Sequence, residues 1–202
     1  WTGAPGALNH GEHVLDTLPS TQAVVLNRRH VPILGACLEL GAGTGRLAFD
    51  ILSRLAAEDA LPARYRILEI SADLRERQQT LLAGLPEAAA ARVEWIDAPP
   101  TAPWQGVLLA NEVLDALPVQ CFHWDGEGVQ ERGVAVDDAG RLVWKPRAAS
   151  AELAAEVVRL RDDARADWAR GYASELCLRV APWIAEVTGS LSRGIALFTD
   201  YG

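Results

Sequence analysis

Two stretches of this chain carry residue types at a spacing that chemistry could use. In the first, Leu38-Glu39-Leu40-Gly41-Ala42-Gly43-Thr44-Gly45-Arg46, three alternating glycines follow an acid. Glycine lets a backbone turn sharply and approach a ligand that any Cβ would push away; close strand-helix packing is the other reason an α/β protein places glycines there. A dinucleotide fingerprint needs G-x-G-x-x-G, and Arg46 stands where its third glycine belongs, which weighs against a nicotinamide oxidoreductase. In the second stretch, Asn111-Glu112-Val113-Leu114-Asp115-Ala116-Leu117-Pro118-Val119, three polar residues follow an unbroken apolar run. Polar groups at the end of a buried strand are costly unless partners or a ligand satisfy them. Capping of a short helix suits Asn111 and suits the two acids less well.

The elements that must position these residues follow from periodicity. Ile33 to Leu40 is an apolar run, and Leu47, Ala48, Ile51, Leu52 and Leu55 then recur on one helical face, so the glycines join a strand to a helix. Pro62 breaks the helix and Tyr65 to Ile70 reads as a second strand. Its acid, Glu69, arrives beside the glycine loop, because ligands of open α/β sheets lie outside the carboxyl ends of the strands; a carboxylate there can accept both hydroxyls of a ribose. Ser71 is a helix N-cap, with Leu74, Gln78, Leu81 and Leu82 following at helical spacing. Arg92 to Ile96 is a third strand ending at Asp97, which either accepts from an adenine amino group or caps the turn into Pro99-Pro100. Gly106 to Ala110 is a fourth, of the kind buried on both faces of a parallel sheet.

From Val119 to Arg147 three alternating runs (Val119 to Trp124, Val129 to Val136, Leu142 to Lys145) are separated by Gly-containing turns, an antiparallel meander inserted into the α/β pattern. The spacing then predicts an amphipathic helix from Ala151 to Arg170 and a second from about Ser174 to Leu191, kinked at Pro182 and ended by Gly194. Ile195 to Thr199 is a fifth strand. The whole is a doubly wound, Rossmann-like sheet over about 31–202 with the meander at about 119–147; residues 1–30 have no assigned function. His10 and His13 lack further ligands at metal spacing and read as a solvated loop, so no metal is expected.

A net charge of -8 opposes broad binding to nucleic acid or anionic membrane. Cys37, Cys121 and Cys177 lie far apart in apolar runs, as buried free thiols of a reducing compartment do. With neither a signal peptide nor a spanning apolar run, the expected location is the cytoplasm. The chain has no methionine and opens on Trp1, which is expected of a fragment, and it stops where a C-terminal hairpin is expected to follow.

The glycine stretch resembles the first motif of class I S-adenosylmethionine (SAM) methyltransferases. Together with Glu69-Ile70-Ser71, Leu74 and Gln78, the Asn111 to Val119 segment, Gly171-Tyr172, Ser174-Glu175 and Asp200-Tyr201-Gly202, it makes the chain from about Cys37 to Gly202 similar to the MidA-type methyltransferases. That family includes the mitochondrial complex I assembly methyltransferase, which acts on protein arginine. Its N-terminal Gly-Tyr-Tyr and Thr-Ala-Pro-Glu-type signatures are not found in Trp1 to Arg29. The resemblance implies SAM as cofactor, bound by Glu39, Gly41, Ala42, Gly43, Gly45, Glu69, Ile70, Asp97 and Asn111, and a protein substrate with no nucleic acid. A guanidinium acceptor must be held as a cation and must lose a proton, which carboxylates can do; Glu112 and Asp115 are the candidates, followed by Glu175. The rival from another class is a non-catalytic assembly or binding protein that keeps the methyltransferase fold.

Overall fold

The structure is a computed structural model and describes residues 35–200. The N-terminal segment, with His10 and His13, lies outside the described residues, as do Tyr201 and Gly202. Two compact units are present. One comprises the described residues up to Asn111 together with Val187–Thr199; the other comprises Glu112–Glu186 and Asp200.

The first unit is built on strands β1 (Ala36–Leu40), β2 (Arg64–Leu68), β3 (Val93–Ile96), β4 (Trp104–Asn111) and, from the end of the chain, β9 (Leu191–Thr199). They form one parallel sheet in the order β3-β2-β1-β4-β9. This order reverses direction at β1, the topological switch point at which doubly wound sheets bind ligands. Helix α1 (Arg46–Ala57) follows β1, and α2 (Ala72–Leu82) and a short α3 (Glu87–Ala90) lie between β2 and β3. The apolar face of α1 buries Ala48 and Leu52 against Cys37, Tyr65 and Ile67 of the sheet, Leu82 of α2, Ala89 of α3 and Leu85 of the turn between those two helices. Burial of such side chains, about 1.5–3 kcal/mol for each large one, holds the ends of β1 and β2 in register.

Glycines make the close approach of strands possible at the other end of the sheet. A Cβ on Gly106 of β4 would lie 1.7 Å from the Ala36 carbonyl oxygen, and one on Gly194 would lie 1.8 Å from that of Gly106. Gly194 is therefore a strand residue, correcting the helix end expected from the sequence. Its φ of +149° suits glycine alone.

The second unit carries β5 (Gln120–Trp124), β6 (Val129–Val136), β7 (Leu142–Ala148) and β8 (Ala173–Leu176) in an antiparallel sheet ordered β7-β6-β5-β8. Helix α4 (Ala151–Asp163), capped by the Ser150 side chain, buries Leu153 and Val157 against Phe122 and Val129. The expected helix to Arg170 is too long. Arg165 takes a φ of +50°, and the N–H groups of Ala164, Arg165 and Ala166 turn back onto the last carbonyls of α4. That sends Trp168 onto Tyr172, with ring centroids 4.5 Å apart.

The expected kinked helix from Ser174 is a strand and then a separate helix, α5 (Val180–Thr188). Ser174 and Glu175 pair with Phe122 and Cys121 of β5, and Pro182 sits in the first turn of α5, where its missing N–H breaks no helical bond. The inserted unit thus extends well past the meander. Among the described residues no helix is long and apolar enough to cross a membrane, and all three cysteines are free thiols, Cys37 buried and the other two half-buried.

Candidate functional site

The glycine loop leaves β1 with Gly41, Gly43 and Gly45 all in the left-handed region, at φ of +60°, +54° and +83°. It is tied down by the Gly41 N–H donating to the Leu68 carbonyl of β2 at 3.0 Å and by a turn from the Gly45 N–H to the Ala42 carbonyl at 2.8 Å. The glycines serve different ends. A Cβ on Gly45 would meet Gln78 at 3.2 Å, so this position is small for helix packing, whereas a Cβ on Gly43 meets nothing within 4 Å. Gly43 is the open side of the loop. Ala42, by contrast, is buried in the core under α1.

Glu69 follows β2 directly and is only 5% exposed. One carboxylate oxygen accepts the Ser71 N–H at 2.9 Å and the other accepts the Gln78 side-chain N–H at 3.0 Å. Arg75, one helical turn after Ser71, donates to the Glu69 carbonyl at 2.9 Å and to the Asp97 carboxylate at 2.7 Å. Of the two readings of Asp97, neither describes its main partner, which is this guanidinium. Glu69, Ile70, Ala72, Arg75 and Asp97 line a concavity of about 330 Å³. Ile70 is 92% exposed there, an apolar side chain whose neighbours leave it open to a flat ligand.

Glu39 is placed differently. It is 3% exposed and accepts the Tyr65 hydroxyl at 2.7 Å. Burial raises its carboxyl above the usual range while the Tyr65 bond opposes the rise. Burial first, and the Glu39 charge second, push the Cys37 thiol up to about 12, so this thiol is inert near neutrality. Asn111 is the exposed last residue of β4, opposite Thr199. Because Leu40 is registered with Ala110, Asn111 and Gly41 leave the sheet at the same end of adjacent strands.

In the second unit Glu112 adopts a φ of +54°, rare for a residue with a side chain. The reason lies in a long-range partner, Asp200. A single oxygen of its carboxylate accepts the N–H groups of Val113 at 3.1 Å, Leu114 at 2.7 Å and Asp115 at 3.2 Å, so the turn folds around an anion. Carboxylate oxygens of Glu112, Asp115 and Asp200 all lie within 4.8 Å of one another. Partial withdrawal from water and then the charges of Asp200 and Asp115 raise the Glu112 carboxyl above its ordinary value. Such a group can hold a compact cation or take up a proton. Glu175 is not a member of it; it sits exposed on β8.

Three residues of these arrangements were not assigned to a site from sequence. Gln78 had the spacing of a core-facing helix position, Asp200 stood out only as part of a terminal motif, and Arg75 carried no signal beyond its place on the helix after Ser71.

Comparison with known proteins agrees with this fold. The Methyltransf_28 model, which describes S-adenosyl-L-methionine-dependent methyltransferases, matches residues 22–202. The native crystal structure of an uncharacterized COG1565 superfamily protein from Burkholderia thailandensis is 40% identical, with a TM-score of 0.72 over 83% of this chain and 43% of that one. A structure of a COG1565 superfamily member from the same organism, bound to S-adenosyl-homocysteine, is 40% identical with a TM-score of 0.71, covering 83% of this chain and 42% of that one. The chain therefore spans less than half the length of either. No curated protein matches it significantly. The match over most of the chain, together with the parallel sheet and its glycine loop, places this chain in the Methyltransf_28 family of SAM-dependent methyltransferases.

Proposed function

We propose that the chain binds SAM and serves methyl transfer to an arginine of a protein substrate. The observation that carries the cofactor reading is Glu69, a buried carboxylate whose two oxygens each already accept one hydrogen bond at the rim of an open concavity. Each oxygen keeps a second lone pair, so a pair of ribose hydroxyls fits. Ile70 offers an apolar surface to a base, and Gly43 leaves room for a ligand against the loop backbone. The S-adenosyl-homocysteine bound to one Burkholderia thailandensis relative supports the same reading.

When bound, SAM supplies an electrophilic methyl and its own leaving group, so the protein mainly has to align the acceptor and exclude water. The acceptor half of the proposal rests on Glu112 and Asp115. They follow Asn111 in the chain, and Asn111 leaves the sheet at the end where the glycine loop begins. Asp200 is occupied in holding three N–H groups, which leaves Glu112 and Asp115 to pair with a guanidinium. A Glu112 carboxyl with raised proton affinity suits acceptance of the proton that arginine sheds. The free thiols fit a reducing, cytoplasmic setting.

Labelled-methyl transfer to proteins of a whole-cell lysate tests the activity, with amino-acid analysis of the labelled product. Label on arginine supports the reading. Label on a carboxylate, a lysine or a small molecule overturns the acceptor assignment, and calorimetry showing binding of NAD but not of SAM or S-adenosyl-homocysteine overturns the cofactor assignment.

A further inference from the structure

Gln78 is the most completely enclosed polar side chain near the proposed cofactor loop, with 0% of its surface exposed. Its side-chain N–H groups donate to the Gly43 carbonyl at 2.9 Å and to the Glu69 carboxylate at 3.0 Å. Its side-chain oxygen accepts the Trp95 indole N–H at 2.9 Å. An indole only donates, while a carbonyl and a carboxylate only accept, so the amide can face one way alone. Both N–H groups are thereby used on the two parts of the molecule that the cofactor reading employs. Ser71, the N-cap of α2, and Arg75 and Gln78 within the helix fall on one side and all hold Glu69, by main-chain N–H, guanidinium and amide respectively.

We infer that Gln78 is a positioning residue that locks the glycine loop to the ribose-binding carboxylate, with Trp95 fixing the direction of its amide. The inference rests on the cofactor reading above. It adds a specific device: the spacing of Gly43 and Glu69 is set from the protein interior before any ligand arrives, which removes the cost of ordering them on binding. Without the amide, the Glu69 carboxylate keeps only the Ser71 N–H and is free to swing, and the Gly43 carbonyl loses a partner 35 residues away in the chain.

Calorimetry of the full chain with S-adenosyl-homocysteine and with its 2′,3′-dideoxy analogue tests this. In Gln78→Glu a second carboxylate faces Glu69, and the pair shares a proton only as pH falls. The expected result at about pH 8 is a Kd for S-adenosyl-homocysteine raised about tenfold to a hundredfold, recovering as pH falls towards about 5.5, while the parent stays flat over this range. The preference for the ribose over the dideoxy analogue should fall with it. Trp95→Phe keeps an aromatic ring against the core while removing the N–H together with the rest of the pyrrole ring; it should lower the same preference by about severalfold, and it decides the matter if Gln78→Glu does not fold. An unchanged preference in the folded variants, or an equal loss of both ligands, overturns the positioning role. A parent that binds neither ligand overturns the cofactor reading itself, an outcome visible before any variant is made.

Discussion

Gly43→Ala separates what the glycine loop does for the fold from what it does for a ligand. The added methyl group meets no atom within 4 Å, so the stability cost comes from backbone conformation alone. A non-glycine residue at a φ of +54° costs about 1–2 kcal/mol. For a chain of this size that lowers Tm by about 2–8 °C, leaving a folded protein. The methyl group then occupies the open side of the loop, where overpacking against a ligand of about 1–3 kcal/mol raises Kd roughly five- to a hundredfold. Gly140→Ala is the matched control: its φ is +77°, its surroundings are equally open, and it lies in the β6–β7 turn, which contributes no residue to the concavity at Glu69. Thermal melts of both variants should coincide within a few degrees. Calorimetry with S-adenosyl-homocysteine should find a loss in Gly43→Ala alone, and parent-like binding by that variant refutes the loop as a place of ligand approach.

Glu69→Ala should weaken S-adenosyl-homocysteine about tenfold to a hundredfold, the usual worth of hydrogen bonds to a charged acceptor, as read by calorimetry; equal binding by the parent, Glu69→Gln and Glu69→Ala would leave the acid with no ribose to hold. Gly106→Ala should abolish cooperative folding, because its Cβ falls 1.7 Å from a backbone oxygen of β1 and the chain there has no flexible end to move aside; a normal circular-dichroism melt contradicts that register. Glu112 has a raised folded-state pKa, so the folded protein holds an extra proton just above the ordinary carboxylate range and loses stability as pH rises through that window. Glu112→Gln should remove this slope and melt higher than the parent near neutral pH but not near pH 4, while binding S-adenosyl-homocysteine within a few-fold of the parent; equal melting at both pH values removes the crowded-acid account.

The sheet was legible where its elements announce themselves locally. β6 has the predicted limits, Val129–Val136, because turn residues bound it on both sides and its alternation has period two. The buried strands β1 and β4 are apolar runs next to glycine or asparagine. The last quarter of the chain was misread because its determinants are remote. Ser174-Glu175-Leu176 has too few residues to show a period, and its strand conformation is set by pairing with β5, more than fifty residues earlier. Gly194 looked like a helix stop because a glycine after an apolar helix has that meaning locally; its real constraint is the Gly106 backbone, which no local pattern contains.

The same division runs through the candidate site. A strand-end acid and a glycine loop are readable because their positions follow from the fold class, whereas the groups that hold them require knowledge of who meets whom. Asp200 is the sharper case, since its partners are 85 to 87 residues away. Three acids within 4.8 Å would by themselves repel and open the turn. One of them, however, is neutralised by peptide dipoles: the N–H groups of Val113, Leu114 and Asp115 converge on one Asp200 oxygen, and the left-handed Glu112 is what lets them converge. Asp200 is thus a structural anion that shapes the turn. The repulsion left over falls on Glu112, whose proton affinity is raised first by partial withdrawal from water and then by the charges of Asp200 and Asp115 beside it.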